Sequence, residues 1–387
     1  MSAAGKSILI LGGGFGGIVA ACRLRKTLSR EHRVILVERE ANHVFAPSLL
    51  WLMIGERKAD AISRPIAALA KRGIEVVRGN IEKIDPAKRT VSVSGRELAG
   101  DYMIVALGAE LAPELVPGLA AAGHNFYTLA GAESLRDARL KINQGRIVVL
   151  VSAMPFKCPG APNEAAMLLE YDCRRRGIRK DVSVDLYTAE PGPMPVAGQA
   201  VSAALRQMIE NKGIGYHPNH TVTAVDSTAR RITFANGAKA EFDLLAYIPP
   251  HRAPQVMRDA GMCGETGWVP VDRETMTTKF PGVFAIGDVT GIMLTSIGKP
   301  LPKAGVFAHY EAEVVAHNIV CAITGEGTQQ RFSGDGECFL ESGDGRAGFG
   351  GGNFYADPAP QITLKPPSIM LHFGKVLYEK YWLFRWF

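Results

Sequence analysis

Three glycines and one acidic residue in the first part of the sequence have the spacing of a dinucleotide-binding motif. Gly12, Gly14 and Gly17 form a GxGxxG pattern, and Glu38 follows roughly 20 residues later, as expected for such sites. The first glycine permits a tight turn, the second lets the backbone approach a pyrophosphate, and the third lets a helix pack against a strand. A carboxylate at that distance accepts hydrogen bonds from ribose hydroxyls. The set therefore predicts a dinucleotide-binding site.

A cysteine in front of a helix is the second candidate for chemistry. Cys158 stands beside Lys157, just before a helical pattern at 163–176. The positive end of the helix and the lysine are both expected to lower the pKa of the thiol, which suits a reactive thiolate. The other cysteines are scattered and form no CxxC pair, so no metal site is predicted. They are Cys22, Cys173, Cys263, Cys321 and Cys338.

The hydrophobic pattern predicts the elements that must position these residues. Two apolar runs of strand length, at 7–11 and 33–37, flank a helical stretch at 18–30. The same pattern recurs between residues 146 and 188. We therefore predict an α/β fold with two Rossmann-like modules. The predicted division is 1–115 for the first part of the first module, 116–250 for the second module, 251–325 for the return to the first, and 326–387 for a C-terminal region.

The second module has lost the glycine pattern of the first. The strand at 147–151 is followed by SAMPFKCPGAP, in which Met154, Pro155 and Phe156 stand where a pyrophosphate would need bare backbone. We therefore expect that this module does not bind a nicotinamide dinucleotide, and that Cys158 occupies the corresponding loop instead.

Further motifs carry a family resemblance. Residues 102–109 (YMIVALGA) and 278–289 (TKFPGVFAIGDV) resemble the later motifs of flavoproteins with two dinucleotide-binding domains. With the glycine loop they indicate FAD and a fold like that of glutathione reductase. The stretch FKCPGAPNE at 156–164, FAPS at 45–48, KAG at 303–305 and the region around Cys338 resemble sulfide:quinone oxidoreductases. The flavoprotein subunit of flavocytochrome c sulfide dehydrogenase is similar to these.

The resemblance implies where FAD binds, with Asp288 holding its ribityl chain. The flavocytochrome subunit links its flavin to a cysteine near the position of Ala46 in this sequence, so the FAD is expected to be non-covalent. The implied contacts are Gly12, Gly14, Phe15, Gly17, Glu38, Arg39, Pro47, Ile81, Ala106, Leu107, Gly108, Gly287, Asp288, Lys303, Ala304 and Gly305.

The resemblance also implies the chemistry of sulfide oxidation. Cys158 and Cys338 match a cysteine pair that joins as a disulfide or polysulfide bridge, which hydrosulfide attacks before two electrons pass to the flavin. Glu164 matches a carboxylate proposed as the acid or base, although a glutamate in the first turn of a helix is also favoured by the helix dipole alone. The sequence departs from the family in two places. No cysteine occurs at 110–145, and 193–196 (PMPV) stands where many members have a histidine.

The segment at 369–387 is apolar and aromatic, and it is predicted to be an interfacial helix. Its apolar face would carry Met370, Phe373, Leu377, Tyr378, Tyr381 and Phe384, and its polar face His372, Lys375, Glu379 and Lys380. Aromatic residues flanked by Lys and Arg suit the headgroup region of a membrane. The alternative is that the aromatic face packs on its own domain. By resemblance, the quinone site would include Lys375, Tyr378, Phe339 and Phe349.

These patterns predict a peripheral, monotopic membrane enzyme that passes electrons from sulfide to membrane quinone. The net charge of +6 is mild for 387 residues, so nucleic acid is not an expected partner. The alternatives are a sulfide dehydrogenase flavoprotein that reduces a cytochrome, a type II NADH:quinone oxidoreductase, and a flavin-holding redox sensor without turnover. The sequence leaves the membrane side and the oligomeric state open, a homo-oligomer included.

Overall fold

A computed structural model describes residues 5–387. In this range the chain forms nine α-helices joined by strands and short 3-10 turns. The helices are α1 (Phe15–Thr27), α2 (Leu49–Met53), α3 (Leu119–Ala122), α4 (Leu129–Arg139), α5 (Ala161–Arg175), α6 (Gln199–Glu210), α7 (Gln255–Asp259), α8 (Gly305–Thr324) and α9 (Ile369–Trp386).

The strands of the described part of the chain are mostly short. They are β1 (Ser7–Leu11), β2 (Arg33–Glu38), β3 (Asn42–Val44), β4 (Ser63–Pro65), β5 (Glu75–Arg78), β6 (Ile81–Asp85), β7 (Thr90–Val93), β8 (Arg96–Ala99), β9 (Tyr102–Val105), β10 (Glu110–Leu111), β11 (His124–Asn125), β12 (Gly145–Val151), β13 (Val182–Thr188), β14 (Gly215–His217), β15 (Val222–Asp226), β16 (Arg231–Phe234), β17 (Lys239–Glu241), β18 (Leu244–Ile248), β19 (His251–Arg252), β20 (Val283–Ala285), β21 (Met293–Leu294), β22 (Lys299–Pro300), β23 (Asp335–Gly343), β24 (Arg346–Asn353) and β25 (Gln361–Ser368).

The first five-stranded sheet is parallel and has the order β20-β9-β1-β2-β5. Its central strands are continuous apolar runs, and β1 is buried from Ile8 to Leu11 because helices cover both faces of such a sheet. Strand β2, which follows β1 in the chain, pairs with one edge of β1, and the later strand β9 pairs with its other edge. The crevice where the strand order reverses is the place where open α/β sheets bind ligands.

The second sheet has the order β11-β18-β12-β13-β14, again parallel throughout, and its strands β18-β12-β13-β14 repeat the arrangement of β9-β1-β2-β5. Its central strand β12 leads into the Cys158 loop and then into α5, just as β1 leads into the glycine loop and α1. The two modules therefore present equivalent strand–loop–helix corners. The predicted α/β class with two Rossmann-like modules is confirmed.

Antiparallel pieces complete the molecule. The two chain crossings between the modules run side by side as β10 and β19, and Arg252 on β19 pairs with Glu110 on β10. The C-terminal region forms an antiparallel sheet, β23-β24-β25, followed directly by α9. Within residues 5–387, no helix combines the length and apolar character that a membrane crossing would require.

Candidate active site

The glycine loop of the first module has the geometry that its sequence predicts. Gly12 has φ +104°, and a Cβ there would lie 2.4 Å from the carbonyl oxygen of Ala106. At Gly17 a Cβ would lie 1.8 Å from the Gly12 carbonyl oxygen, so only glycine lets α1 approach β1 this closely. In contrast, the space around Gly14, the N-cap of α1, is open. The open helix N-terminus suits an anion such as a pyrophosphate.

The acid at the end of β2 lies beside this loop. Glu38 accepts a hydrogen bond from the backbone N–H of Gly13 at 2.5 Å and another from that of Glu40 at 2.8 Å. The rest of the predicted cofactor set surrounds the same crevice or its rim. Arg39 is exposed and pairs with Glu40, Pro47 is half-buried in a 3-10 turn, Ile81 begins β6, and Ala106, Leu107 and Gly108 follow β9.

The return to the first module adds a buried polar corner at Gly287–Asp288. Among the described residues, Asp288 Oδ1 is buried and has no hydrogen-bond partner, which suits a hydroxyl-bearing ligand. Lys303 Nζ donates to the carbonyl oxygens of Asp288 and Thr290 at 2.7 and 2.8 Å, and burial lowers the pKa of this lysine to about 8. Ala304 and Gly305 begin α8, where Gly305 faces the ring of Phe15. The observed residues therefore fit FAD.

The loop after β12 places Cys158 against the Lys303 segment. The backbone N–H of Cys158 donates to the Lys303 carbonyl oxygen at 2.6 Å, and Cys158 has φ +54°, in the left-handed region. The hydroxyl of Tyr127 donates to the Lys157 carbonyl oxygen at 2.7 Å and so fixes the loop from the other side. Because the Cys158 N–H is already engaged, it is not free to bind a pyrophosphate.

One apolar cavity of about 320 Å³ brings the two predicted cysteines together. Cys158 lines it from the second module, and Cys338 lines it from β23 of the C-terminal sheet. The lining also includes Phe156, Leu340 and Lys303. The cysteines are within electrostatic range of each other, since the Cys338 thiolate contributes to the raised pKa of Cys158. Both are free thiols in this structure.

The expectation that Cys158 has a lowered pKa is wrong. Burial raises the pKa of the Cys158 thiol well above its usual value, with Cys338 and Glu164 adding to the shift. Desolvation by surrounding protein atoms also raises the pKa of Cys338 to about 12, although the Cys338 side chain is exposed where it lines the cavity. The helix dipole is weaker than this desolvation, since α5 begins only at Ala161 and its dipole acts within the first turn. The reduced pair therefore holds its protons at neutral pH.

Glu164 belongs to a buried charge cluster rather than to an open cavity wall. Its Oε1 accepts from Lys375 Nζ and from the backbone N–H of Glu341, both at 2.8 Å. The Glu164 and Lys375 side chains are only 2% and 6% exposed. Burial would lower the pKa of Lys375, but the carboxylates of Glu164 and Glu341 outweigh it and raise the pKa. His372 lies 3.1 Å from Glu341 and extends this cluster towards the surface.

Helix α9 buries polar residues and exposes apolar ones, which is the reverse of an ordinary surface helix. The polar residues Lys375 and Glu379 are buried, and Glu379 binds Ser48 at 2.5 Å and Arg57 at 2.9 Å. The apolar face is exposed, which contradicts the alternative that it packs on its own domain. This exposed apolar face comprises Met370, Phe373, Leu377, Tyr378, Tyr381 and Phe384. On the buried side of the same helix, the ring centroid of Trp382 lies 4.6 Å from that of Phe15.

Comparison with known proteins now decides the family. The family described as pyridine nucleotide-disulphide oxidoreductase matches residues 6–312. The chain is 30% identical to the sulfide-quinone reductase of Aquifex aeolicus (strain VF5), over 98% of this chain and 91% of that protein. The chain belongs to the sulfide:quinone oxidoreductase family. The X-ray structure of the sulfide:quinone oxidoreductase from Aquifex aeolicus superposes with a TM-score of 0.89 at 26% identity, covering 98% and 91% of the two chains.

A second sulfide:quinone oxidoreductase is also similar to this chain, at lower identity. The mitochondrial sulfide:quinone oxidoreductase of Mus musculus is 25% identical over 88% of this chain and 76% of its own length. Membership in the sulfide:quinone oxidoreductase family makes the chain an oxidoreductase, and it implies that the chain binds FAD. The resemblance stated from the sequence motifs is confirmed.

The residues predicted for the quinone lie along the contact between α9 and the C-terminal sheet. The rings of Phe339 on β23 and Phe349 on β24 pack edge to face with their centroids 4.9 Å apart, and Phe339 lies against Gly374 of α9. Tyr378 is partly exposed, with its ring 6.1 Å from Phe45. Lys375 is the exception, because its ammonium group is enclosed with Glu164. The assignment of these four residues to quinone stays a prediction.

Several residues of the site were missed by the sequence analysis. Tyr127, which holds the Cys158 loop, follows an irregular segment without a motif. Glu341 and His372 come together only because β23 packs beside α9, across 31 positions of sequence. Glu190 lines the cysteine cavity at the end of β13, the place where the first module has Glu38. That equivalence between the modules was the available signal for Glu190.

Proposed function

We propose that this enzyme oxidises sulfide through Cys158 and Cys338 and passes the electrons through FAD to a membrane quinone. The observation that carries the proposal is the shared apolar cavity, which receives Cys158 from the second module and Cys338 from the C-terminal sheet. It lies at the corner that would bind a nicotinamide dinucleotide in a module with intact glycines. Membership in the sulfide:quinone oxidoreductase family supports the same substrates.

The proposed reaction uses sulfur–sulfur exchange at the cysteine pair. Hydrosulfide attacks the bridge between Cys158 and Cys338, so that one sulfur becomes a persulfide and the other leaves as a thiolate. The thiolate and the persulfide then join into a bridge one sulfur longer, releasing one proton and two electrons. Repetition lengthens the bridge towards a polysulfide product. The apolar lining suits neutral zero-valent sulfur because it offers few polar groups that would need hydration.

FAD supplies the two-electron acceptor for this step. We propose that Glu38 and Asp288 hold its hydroxyl groups and that the N-terminus of α1 at Gly14 holds its pyrophosphate; the unpaired Asp288 Oδ1 and the open space around Gly14 support this assignment. We propose that the FAD is held without a covalent bond, because Ala46 occupies the position near which the flavocytochrome subunit has its linking cysteine. Acid precipitation of the purified protein should then release all of its flavin into the supernatant.

Anaerobic sulfide titration of the flavin spectrum tests this function. Sulfide is expected to bleach the flavin, a short-chain quinone to restore it, and the two together to give continuous turnover. NADH is the control donor, and it should leave the spectrum unchanged because the second glycine loop is lost. Bleaching by NADH would instead favour a type II NADH:quinone oxidoreductase. Bleaching by sulfide without quinone turnover would favour a redox sensor or a cytochrome-linked dehydrogenase.

The exposed apolar face of α9 supports a peripheral membrane location. Met370 and Phe384 are 84% and 83% exposed, and such a row of large apolar side chains is costly in water. A bilayer surface would cover the face, while Arg385 and Lys380 on its flanks suit headgroup phosphates.

Charged substitutions on this face are expected to detach the enzyme from lipid. In a vesicle flotation assay, the double variant Leu377→Glu/Phe384→Glu should remain at the bottom of the gradient, whereas the unmodified protein floats. The physical reason is the loss of roughly 1.5–3 kcal/mol for each large side chain removed from the apolar phase, in addition to the cost of inserting a charge. Leu115→Glu, at a residue 57% exposed and remote from α9 in sequence, is the matched control and should float normally. Flotation of the double variant would contradict the proposed anchor.

A further inference from the structure

The cysteine cavity has few side chains that can exchange a proton. Its titratable lining consists of Cys158, Cys338, Glu190, Lys303 and Glu337. Lys303 donates its Nζ hydrogens to two backbone carbonyl oxygens. Glu337 lies on the exposed edge of β23 and accepts the hydroxyl hydrogen of Tyr310 at 2.6 Å. Glu164 is outside the lining and is held by Lys375. Glu190 is thus the cavity-lining carboxylate that is both buried and without a cation.

Glu190 is placed where a second dinucleotide module would hold an acid, but it faces apolar surroundings. It comes two residues after the end of β13 and is only 4% exposed. Within residues 5–387, its side chain has one hydrogen-bond partner, the Thr188 hydroxyl at 3.4 Å, and forms no ion pair. Burial raises the pKa of Glu190 to about 7, and the Thr188 hydrogen bond partly opposes this shift.

The loop after Glu190 encloses it with apolar side chains. Met194, Pro195, Val196 and Ala197 all line the cavity, and Met194 has φ +48° in the left-handed region. This is the stretch that has no histidine in this chain. Tyr127 and Tyr216 lie within electrostatic range of Glu190, and burial together with the Glu190 carboxylate raises the pKa of both phenols, so both are neutral at physiological pH. The carboxyl group is therefore the local proton acceptor.

The proposed reaction needs such an acceptor. At neutral pH sulfide exists as both H₂S and HS⁻, and an apolar cavity admits the neutral molecule more readily than the anion. Only the anion is a good nucleophile towards a sulfur–sulfur bond. A base whose pKa lies near the operating pH transfers the proton most effectively. The cysteine thiols cannot serve, because they form the bridge that is attacked.

We propose that Glu190 is the general base that converts H₂S to HS⁻ inside the cysteine cavity. This inference rests on the proposed function. The carboxylate of Glu190 takes one proton from H₂S, which leaves HS⁻ in the cavity and a neutral carboxyl group on Glu190. The HS⁻ then attacks the cysteine bridge, and Glu190 returns its proton to solvent before the next cycle.

Rapid-mixing measurements of flavin reduction by sulfide, across a range of pH, test the assignment. Glu190→Gln should lower the rate constant at saturating sulfide by about 10²-fold below neutral pH, the smaller end of the usual general-base effect. The loss should shrink towards alkaline pH, because bulk water then supplies HS⁻ directly. Glu190→Asp, which keeps a carboxylate, should retain most of the rate. A purely structural role would lower the rate equally at every pH.

A second variant should shift the pH profile of flavin reduction without removing the Glu190 carboxylate. Thr188→Val deletes the hydrogen bond that stabilises the Glu190 carboxylate, so the pKa of Glu190 rises and the acidic limb of the profile should move to higher pH. The assignment to Glu190 is overturned if Glu190→Gln keeps the unmodified pH profile, or if Glu337→Gln shows the acid-side loss instead. If the unmodified protein is not reduced by sulfide at any pH, the proposed function itself fails, which is a separate result.

Discussion

Replacing Cys158 with alanine is expected to lower sulfide-dependent flavin reduction by at least about 10³-fold, the order found when one member of a catalytic unit is removed. Cys338→Ala should have the same effect, because the sulfur–sulfur bridge needs both partners. The FAD absorbance of both variants should be unchanged, since neither cysteine belongs to the glycine loop at Gly12–Gly17. Rapid mixing of each purified variant with sulfide, without quinone, measures this step alone.

The matched control for the cysteine variants is Cys173→Ala. Cys173 is 1% exposed in the same helix, α5, but it is absent from the lining of the cysteine cavity. Its replacement should change stability slightly and leave the rate of flavin reduction within about twofold of the original, which is a small effect on the energy scale of a single contact. If both Cys158→Ala and Cys338→Ala keep the original rate, the sulfur-exchange mechanism is wrong.

Lys375→Met is expected to destabilise the protein by about 3–5 kcal/mol, because it leaves the Glu164 carboxylate buried without its cation. The same change removes the contact that ties α9 to the N-terminus of α5 beside the cysteines. Denaturant unfolding, followed by intrinsic fluorescence, measures the free energy of unfolding. The midpoint should fall while the slope with denaturant stays the same.

A double variant distinguishes the buried ion pair from a general packing defect. Glu164→Gln/Lys375→Met removes both charges, so most of the lost stability should return. Lys380→Met is the control on the same helix, where a lysine 54% exposed should contribute less than about 1 kcal/mol. A cost below that level for Lys375→Met would contradict the importance of the pair. A raised KM for quinone with unchanged sulfide kinetics would instead support the predicted quinone role of Lys375.

The cofactor half of the site follows from short-range spacing. Gly12, Gly14 and Gly17 lie within one strand–helix corner, and Glu38 ends the next strand, so local geometry dictates their positions. The predicted helix started at residue 18, whereas α1 begins at Phe15, because the glycines themselves take helical conformation. The predicted ends of the apolar strands lie close to the observed ends, because each apolar run must stay buried in a sheet that is covered on both faces.

The cysteine half depends on long-range packing that no local pattern encodes. The raised pKa of Cys158 reflects the apolar cavity built by three separate regions of the chain, and the sequence offered only the adjacent lysine and helix. The composition of the two faces of α9 did not by itself determine which face would be buried. Its polar face turns inward because Glu164, Arg57 and Ser48 supply partners for Lys375 and Glu379. These partners come from distant positions in the sequence.

The packing of α9 on the flavin loop has a consequence for biosynthesis. The Cys22 thiol of α1 contacts the Trp386 carbonyl oxygen 364 positions away, and Trp382 lies against Phe15 at the glycine loop. At about 5–20 residues per second, the ribosome needs roughly 20–70 s to make the intervening chain. Throughout that time the side of α1 that receives these tryptophans is uncovered. Maturation of the flavin pocket therefore waits until α9 has been made, long after the first module, and chaperones have that interval in which to act on the nascent first module.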